Sequence, residues 1–413
     1  MKERRLRVGL IGAGFVTGFH IQSWIGVRDA DITAICDCSS SSALEAQKLC
    51  EKLNVGKPKV YTEISKMVRD RAVDAVWIAV PNFARVQILE KIAEEVLSKR
   101  AKLVGIACEK PLARNVAEAT KMLTLVEDMG ILHGYLENQV FAPSLMKGRE
   151  IIWRRGAPIS GPPYLARCAE EHSGPHKPWF WSGFKQGGGV MNDMMCHSLE
   201  AGRYLLTQPG RSRDSLKVKS IAAEINSLKW TRKEYIKQLR DKTQGEIDYS
   251  QHPAEDFGRA SVTYVAEDGH TVVSEATTSW SFVGTGLRLK FELLGPEYFM
   301  EVDTCKPDLH VFFSREIRGE TGEDLVEKQN AEQGLMPVVA DEALIYGYTD
   351  ENRHMVRSFL EGKKPRETWK DGIEVVRLVM SCYMAAEQGR TLPFPPSGLA
   401  DFVPKVALGT WRP

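Results

Sequence analysis

Along the first 140 residues, short apolar runs alternate with stretches in which apolar positions return every three or four residues. Arg7–Ile11, Ile32–Cys36, Ala75–Val80, Leu103–Cys108 and Leu132–Glu137 read as strands, with a short piece near Val60. Between them, Val86–Leu97 puts Ile88, Ile92 and Val96 beside Leu89, Ala93 and Leu97 on one face, the repeat of an amphipathic helix. Strand and helix in alternation predict a parallel sheet covered on both faces. From about Tyr164 the pattern changes. Tyr164–Glu171, Leu216–Glu224, Ala260–Val265, Thr271–Trp280, Leu287–Leu294 and Leu309–Phe313 read as longer strands, with helices confined to the segments between them. This predicts an α+β second half with one large, mostly antiparallel open sheet. The polar Gln208–Asp214 and charged Thr231–Thr243 read as surface elaborations, and there is no internal repeat. The expected division is a domain over 1–140 and a second over 141–413.

Composition narrows the class but names no chemistry. A chain of 413 residues suggests two or three domains. Its 55 Lys+Arg and 54 Asp+Glu leave a net charge of +1, against a protein built as a whole for nucleic acid. No run approaches the roughly 20 apolar residues that span a bilayer. The eight cysteines are scattered, and Cys36 and Cys38 form neither a zinc knuckle nor a redox pair. Reduced thiols in a cytoplasm are the natural reading. The basic Met1–Arg7 leads into an apolar segment, but glycines interrupt that segment and no small-residue cleavage site follows it. It is expected to be a first strand and its turn.

That turn is Gly12-Ala13-Gly14-Phe15-Val16-Thr17-Gly18. A dinucleotide site needs a tight turn, met here by Gly12, and a residue without Cβ where backbone meets pyrophosphate, met by Gly14. Phe15 and Val16 would open the helix whose N–H groups face the anion. Thr17 stands where a third small residue is usual, so the match to the glycine fingerprint is imperfect. Asp37, at the end of the second strand, suits a ribose hydroxyl, with a cap for the next helix as the alternative. A carboxylate there favours NAD, with NADP possible.

Glu109-Lys110-Pro111 places a charged pair at the carboxyl end of a buried strand, the edge where ligands bind in such sheets, or else a solvated loop pair. Gly187-Gly188-Gly189 leads into a helix with Asp193 and His197 at i and i+4. The pair is a helix salt bridge or a carboxylate orienting a general base. The triple glycine favours the second reading, because it would let backbone and helix end approach a ligand. His172, His176 and Cys196–His197 lack tetrahedral ligand spacing, so no metal is expected. Trp179, Phe180 and Trp181 read as core or pocket wall, with an aromatic floor for a sugar as the alternative.

Together these residues resemble the glucose-fructose oxidoreductase/inositol dehydrogenase/rhizopine-catabolism (Gfo/Idh/MocA) family over roughly residues 7–393. The resemblance rests on Gly12-Ala13-Gly14 with His20, Ala79-Val80-Pro81-Asn82, Glu109-Lys110-Pro111, and Asn138 before Phe141 and Pro143. It continues through Gly187–Gly189 with Asp193 and His197, Glu255-Asp256, Gly347-Tyr348 with Glu351 and Phe359, and Tyr383 with Gly389-Arg390. It implies an N-terminal Rossmann domain holding a nicotinamide cofactor. It implies a C-terminal sheet with the substrate on one side and a homodimer or homotetramer interface on the other. Lys110, Asp193 and His197 would be the catalytic group, and Pro81, Asn82, Glu109, Lys110 and Asn138 would line the cofactor. Where the family often has a His after Pro-Asn this chain has Arg85, which would alter the cofactor contacts. His176 and Trp181 lie in a segment that looks like a subgroup acting on sugars or glycosides, and would join Lys110, Asp193 and His197 around the substrate.

The expected activity is NAD(P)-dependent oxidation of a secondary hydroxyl of a sugar, inositol, polyol or glycoside. His197 would take the hydroxyl proton, Asp193 would orient it, and Lys110 would hydrogen-bond the reacting oxygen. A rival is a hydrolase or lyase that retains NAD and cleaves after transient oxidation. A second rival is a non-catalytic sensor, against which the intact Lys110, Asp193 and His197 speak. No nucleic-acid or membrane partner is expected.

Overall fold

The computed structural model describes residues 5–307, 309–314, 316 and 324–413. Met1–Arg4, most of the basic Met1–Arg7 stretch, lies outside them. The chain forms two compact units, Met1–Pro143 with Tyr346–Val376, and Ser144–Ile345 with Arg377–Pro413. A single cut near residue 140 thus becomes a division in which the first unit takes back a late segment.

The first unit is built on β1 (Leu6–Ile11), β2 (Ala30–Cys36), β3 (Lys59–Tyr61), β4 (Ala75–Ile78), β5 (Gly105–Glu109) and β6 (Leu132–Leu136). They pair in the order β3-β2-β1-β4-β5-β6, all parallel. β4 and β5 are buried throughout, as strands covered on both faces must be. The order reverses between β1 and β4, and that is where a crevice opens beyond the strand ends. The late segment joins this unit by packing. Its helix, Tyr348–Glu361, presses Met355 and Phe359 onto the sheet, where a Cβ on Gly134 would stand 2.5 Å from the Met355 sulfur and one on Gly105 2.9 Å from the Phe359 ring. Those glycines make room for the helix.

The second unit carries β7 (Leu165–Glu171), β8 (Lys217–Asn226), β9 (Phe257–Val265), β10 (Thr271–Ser279), β11 (Arg288–Gly295) and β12 (Tyr298–Asp303). A separate hairpin pairs β13 (Leu309–Phe313) with β14 (Gly334–Val338), and β15 (Leu392–Pro393) closes the large sheet. The order is β12-β11-β7-β10-β9-β8-β15, antiparallel except between β7 and β10. The mostly antiparallel open sheet expected from the sequence is therefore present. One face is polar, with ion pairs such as Arg167–Glu275 and Arg259–Glu224. The other takes the helix Val190–Leu206, which packs on β7 and β10 and is buried along its whole length. Gly202 sets its approach, since a Cβ there would come within 2.0 Å of Ser274 Oγ. Within the charged Thr231–Thr243 stretch, Lys233–Lys242 is a helix that buries only Leu239. Among the described residues no helix is long and apolar enough to cross a membrane.

Candidate functional site

In the first unit, the expected cofactor residues gather at one edge of the sheet, because each follows a strand's carboxyl end. Gly12 follows β1 with φ +96°, and a Cβ there would lie 2.3 Å from the carbonyl oxygen of Ala79. Only glycine fits that backbone and that approach. Gly14, the residue before the helix Phe15–Ser23, opens onto empty space. Phe15 is exposed and Val16 half-buried, and the first helical turn holds no acidic residue that would repel a phosphate. Asp37 follows β2 and accepts from Ala13 N at 2.7 Å and Ser39 N at 2.8 Å. It therefore ties the glycine turn to the second strand, while Ser39 caps the helix Ser40–Lys52. These groups fit a dinucleotide: a turn without side chains, a helix start without acid, and a carboxylate at the next strand end.

Pro81 and the buried Asn82 follow β4, Glu109 ends β5 with half-buried Lys110 after it, and Asn138 follows β6. The Asn138 amide donates to the carbonyl of Tyr346 at 2.7 Å, so part of its work is to hold the late segment. Arg85 is buried and donates to the carbonyls of Val80, Glu109, Lys110 and Pro111. Its guanidinium braces the turn that carries Lys110, so it bears on the cofactor edge through that turn.

In the second unit, Asp193 and His197 lie one turn apart on the buried helix. Asp193 Oδ2 accepts from the Trp280 indole at 3.3 Å. A carboxylate missed in the sequence stands near His197: Glu170 Oε2 on β7 is 3.7 Å from Nε2, within ion-pair reach but long for a hydrogen bond. The sequence held a signal for it. Ala166, Cys168 and Glu170 alternate onto the inward face of β7, and a glutamate in an inward series needs a reason.

The triple glycine has a different purpose from the one expected. A Cβ on Gly188 would meet the Tyr383 hydroxyl at 2.1 Å, and one on Gly189 the carbonyl oxygen of Glu255 at 2.4 Å. The helix start is filled from within. Glu255 Oε1 accepts from Gly189 N and Met191 N, and from the Tyr383 hydroxyl at 2.5 Å. The glycines admit the chain's own carboxylate, which occupies the place a ligand anion would take. Trp181 is also interior: it is 1% exposed, packs against Trp230, Trp280 and Tyr249, and donates to the carbonyl of Pro175. The rings open to solvent are the half-buried stacked pair Trp179 and Phe180, 3.7 Å apart, and His176 is exposed just before them.

Residues 6–134 match the oxidoreductase family with an NAD-binding Rossmann fold. A D-apiose dehydrogenase of Paraburkholderia graminis is 22% identical over 412 residues, 94% of this chain and 90% of that protein. An alpha-N-acetylgalactosaminidase of Tannerella forsythia is 29% identical over 171 residues, 40% of this chain and 35% of that protein. Among solved structures, GenD2 from gentamicin A biosynthesis, in complex with NAD, superposes with a TM-score of 0.74 at 21% identity, over 95% of this chain and 97% of that one. At that identity the likeness is one of fold.

Proposed function

We propose that the chain is an oxidoreductase of the Gfo/Idh/MocA type, the family that its residues 6–134 match through an NAD-binding Rossmann fold, and that it oxidises a secondary hydroxyl of a sugar or related polyol. The observation that carries this reading is the edge of the six-stranded sheet. Gly12, Asp37, Asn82, Lys110 and Asn138 each follow a different strand there, on both sides of the point where the strand order reverses. Bound NAD supplies the hydride acceptor. Gly12 and Gly14 keep side chains off the pyrophosphate, and Asp37 accepts from the ribose while holding the turn. Lys110 hydrogen-bonds the substrate oxygen and stabilises negative charge on it. His197 takes the hydroxyl proton, and Asp193 and Glu170 hold its ring and favour the protonated product. The polar face of the seven-stranded sheet is the surface on which we place a homodimer or homotetramer contact. The eight free cysteines suit a cytoplasmic enzyme.

The test is an assay of NAD and NADP against sugars, polyols, glycosides and sugar acids, followed at the NADH absorbance. Reduction with at least one sugar is expected, and none across the panel would reject the reading. The Tannerella relative favours a second one, redox-assisted glycoside cleavage. Cleavage without added NAD and without NADH accumulation would select it. Asp37→Ala removes both the ribose acceptor and the anchor on Ala13 N. It is expected to raise the KM for NAD by about tenfold or more, the scale of a charged hydrogen bond, and that for NADP by less. An unchanged KM for NAD would remove Asp37 from the site.

A further inference from the structure

Five buried side chains in the first unit, none more than 4% exposed, form a hydrogen-bond network that runs in one direction only. It starts at Trp77 on β4, whose indole N–H donates to Asn352 Oδ1 at 2.8 Å. An indole nitrogen cannot accept, so the amide oxygen is pinned to Trp77 and the amide nitrogen must face the other way. That nitrogen donates to Ser23 Oγ at 2.8 Å and to His20 Nδ1 at 2.9 Å. Ser23 passes its own proton to the carbonyl of His20. His20 Nδ1 is therefore an acceptor, the ring proton sits on Nε2, and Nε2–H donates to Glu109 Oε1 at 2.8 Å. The other Glu109 oxygen accepts the backbone N–H of Lys110 at 3.1 Å. Turning any one link round sets donor against donor in a place water does not reach.

The charges around this chain point the same way. Burial would raise Glu109, but the His20 hydrogen bond, with Lys110 and Arg85 nearby, holds it below the ordinary carboxylate value. Glu351, beside Asn352, is fully buried with no hydrogen bond to either carboxylate oxygen. Burial first, then Glu109, Glu137 and Glu367, push it well above the usual range. Neighbouring buried carboxyls divide protons unequally. Here Glu351 keeps the proton and Glu109 the charge.

We propose that His20 and Asn352 are positioning residues for Lys110: by fixing the direction of the hydrogen bonds, they aim Glu109 at the Lys110 backbone and hold that lysine at the strand end. The proposal rests on the role given to Lys110 above, but its tests need no turnover, so its failure is distinguishable from failure of the dehydrogenase reading.

Histidine-labelled 15N spectra of the full chain, with the His20 signal identified by its loss in His20→Gln, should show a bare Nδ1 and a protonated Nε2. In Asn352→Asp a carboxylate oxygen replaces the amide N–H facing Nδ1, and the ring should gain a second proton. An Nδ1–H tautomer in the unaltered protein would overturn the proposal. Independently, acetylation of Lys110 by acetic anhydride at fixed pH, with and without NAD, is read by mass spectrometry relative to exposed Lys99. In His20→Leu, Glu109 loses its donor, takes up a proton and no longer opposes the ammonium with a charge, which should speed acetylation about tenfold, while His20→Gln, which keeps a donor towards Glu109, stays within about twofold of the unaltered chain. Equal rates in His20→Leu and the unaltered chain would also overturn it. If His20→Leu does not fold, the tautomer of the unaltered protein decides.

Discussion

Alanine at Lys110 or at His197 is expected to lower turnover at least about 100-fold with NAD affinity nearly unchanged, the usual scale of a general acid or base. The two losses have different origins. On the proposed mechanism, without Lys110 no ammonium would meet the charge that grows on the substrate oxygen. Without His197, which lies on the helix that carries Asp193 and stands beside Glu170, the hydroxyl proton would on the same mechanism lose its acceptor. Stopped-flow measurement of NADH formation, with NAD binding followed separately, separates chemistry from cofactor loss. Near-normal turnover in both variants would sink the assignment. A large fall in NAD affinity for Lys110→Ala would make that residue a cofactor ligand first.

The second large effect concerns stability and pH. Glu255 is fully buried at the start of the Val190–Leu206 helix, and burial pushes it up to about 7 despite hydrogen bonds from Tyr383, Met191 and Gly189 that pull it down. A carboxyl raised in the folded state binds its proton more tightly there than when unfolded. Its contribution is fully present below the unfolded value and is lost as pH rises through about 7. The span corresponds to about 3 kcal/mol, taken as an order of magnitude. Glu255→Gln should therefore flatten the pH dependence. The fall in Tm of the unaltered protein between pH 5 and pH 8 should exceed that of the variant by several degrees. Parallel curves for the two proteins would show that Glu255 is not the titrating group. The comparison also checks the reading of the triple glycine, since a capping carboxyl matters to folding whether or not a ligand binds nearby.

What was legible in advance followed from local rules. Strand and helix periods placed β1, β2 and β4 to within a residue or two, because strands buried on both faces leave apolar runs that few other structures tolerate. β12 and β14 escaped. Tyr298–Asp303 mixes apolar and acidic residues at the sheet edge, where one side is solvent and the pattern carries little information. The site behaved similarly. Gly12 and Asp37 could be named from their spacing to a strand, since turn chemistry is local. Asn352 could not, because it matters through His20 and Trp77, hundreds of residues away, and the inward alternation of β7 marks Glu170 as buried without naming His197 as its partner.

The sequence alone determined the two architectures, the positions at which strands give way to binding turns, and a set of residues able to move a proton or cradle a phosphate. These depend on backbone sterics and periodicity, which act over a few residues. Only the tertiary structure decided that Tyr346–Val376 returns to the first unit, that Gly187–Gly189 admit Glu255 and Tyr383, that Arg85 braces the Lys110 turn, and that His20 joins Asn352 to Glu109. Each of those follows from which buried donor finds which acceptor. Buried groups must be paired, but pairing is settled by packing across tens or hundreds of residues, and no local pattern carries that information.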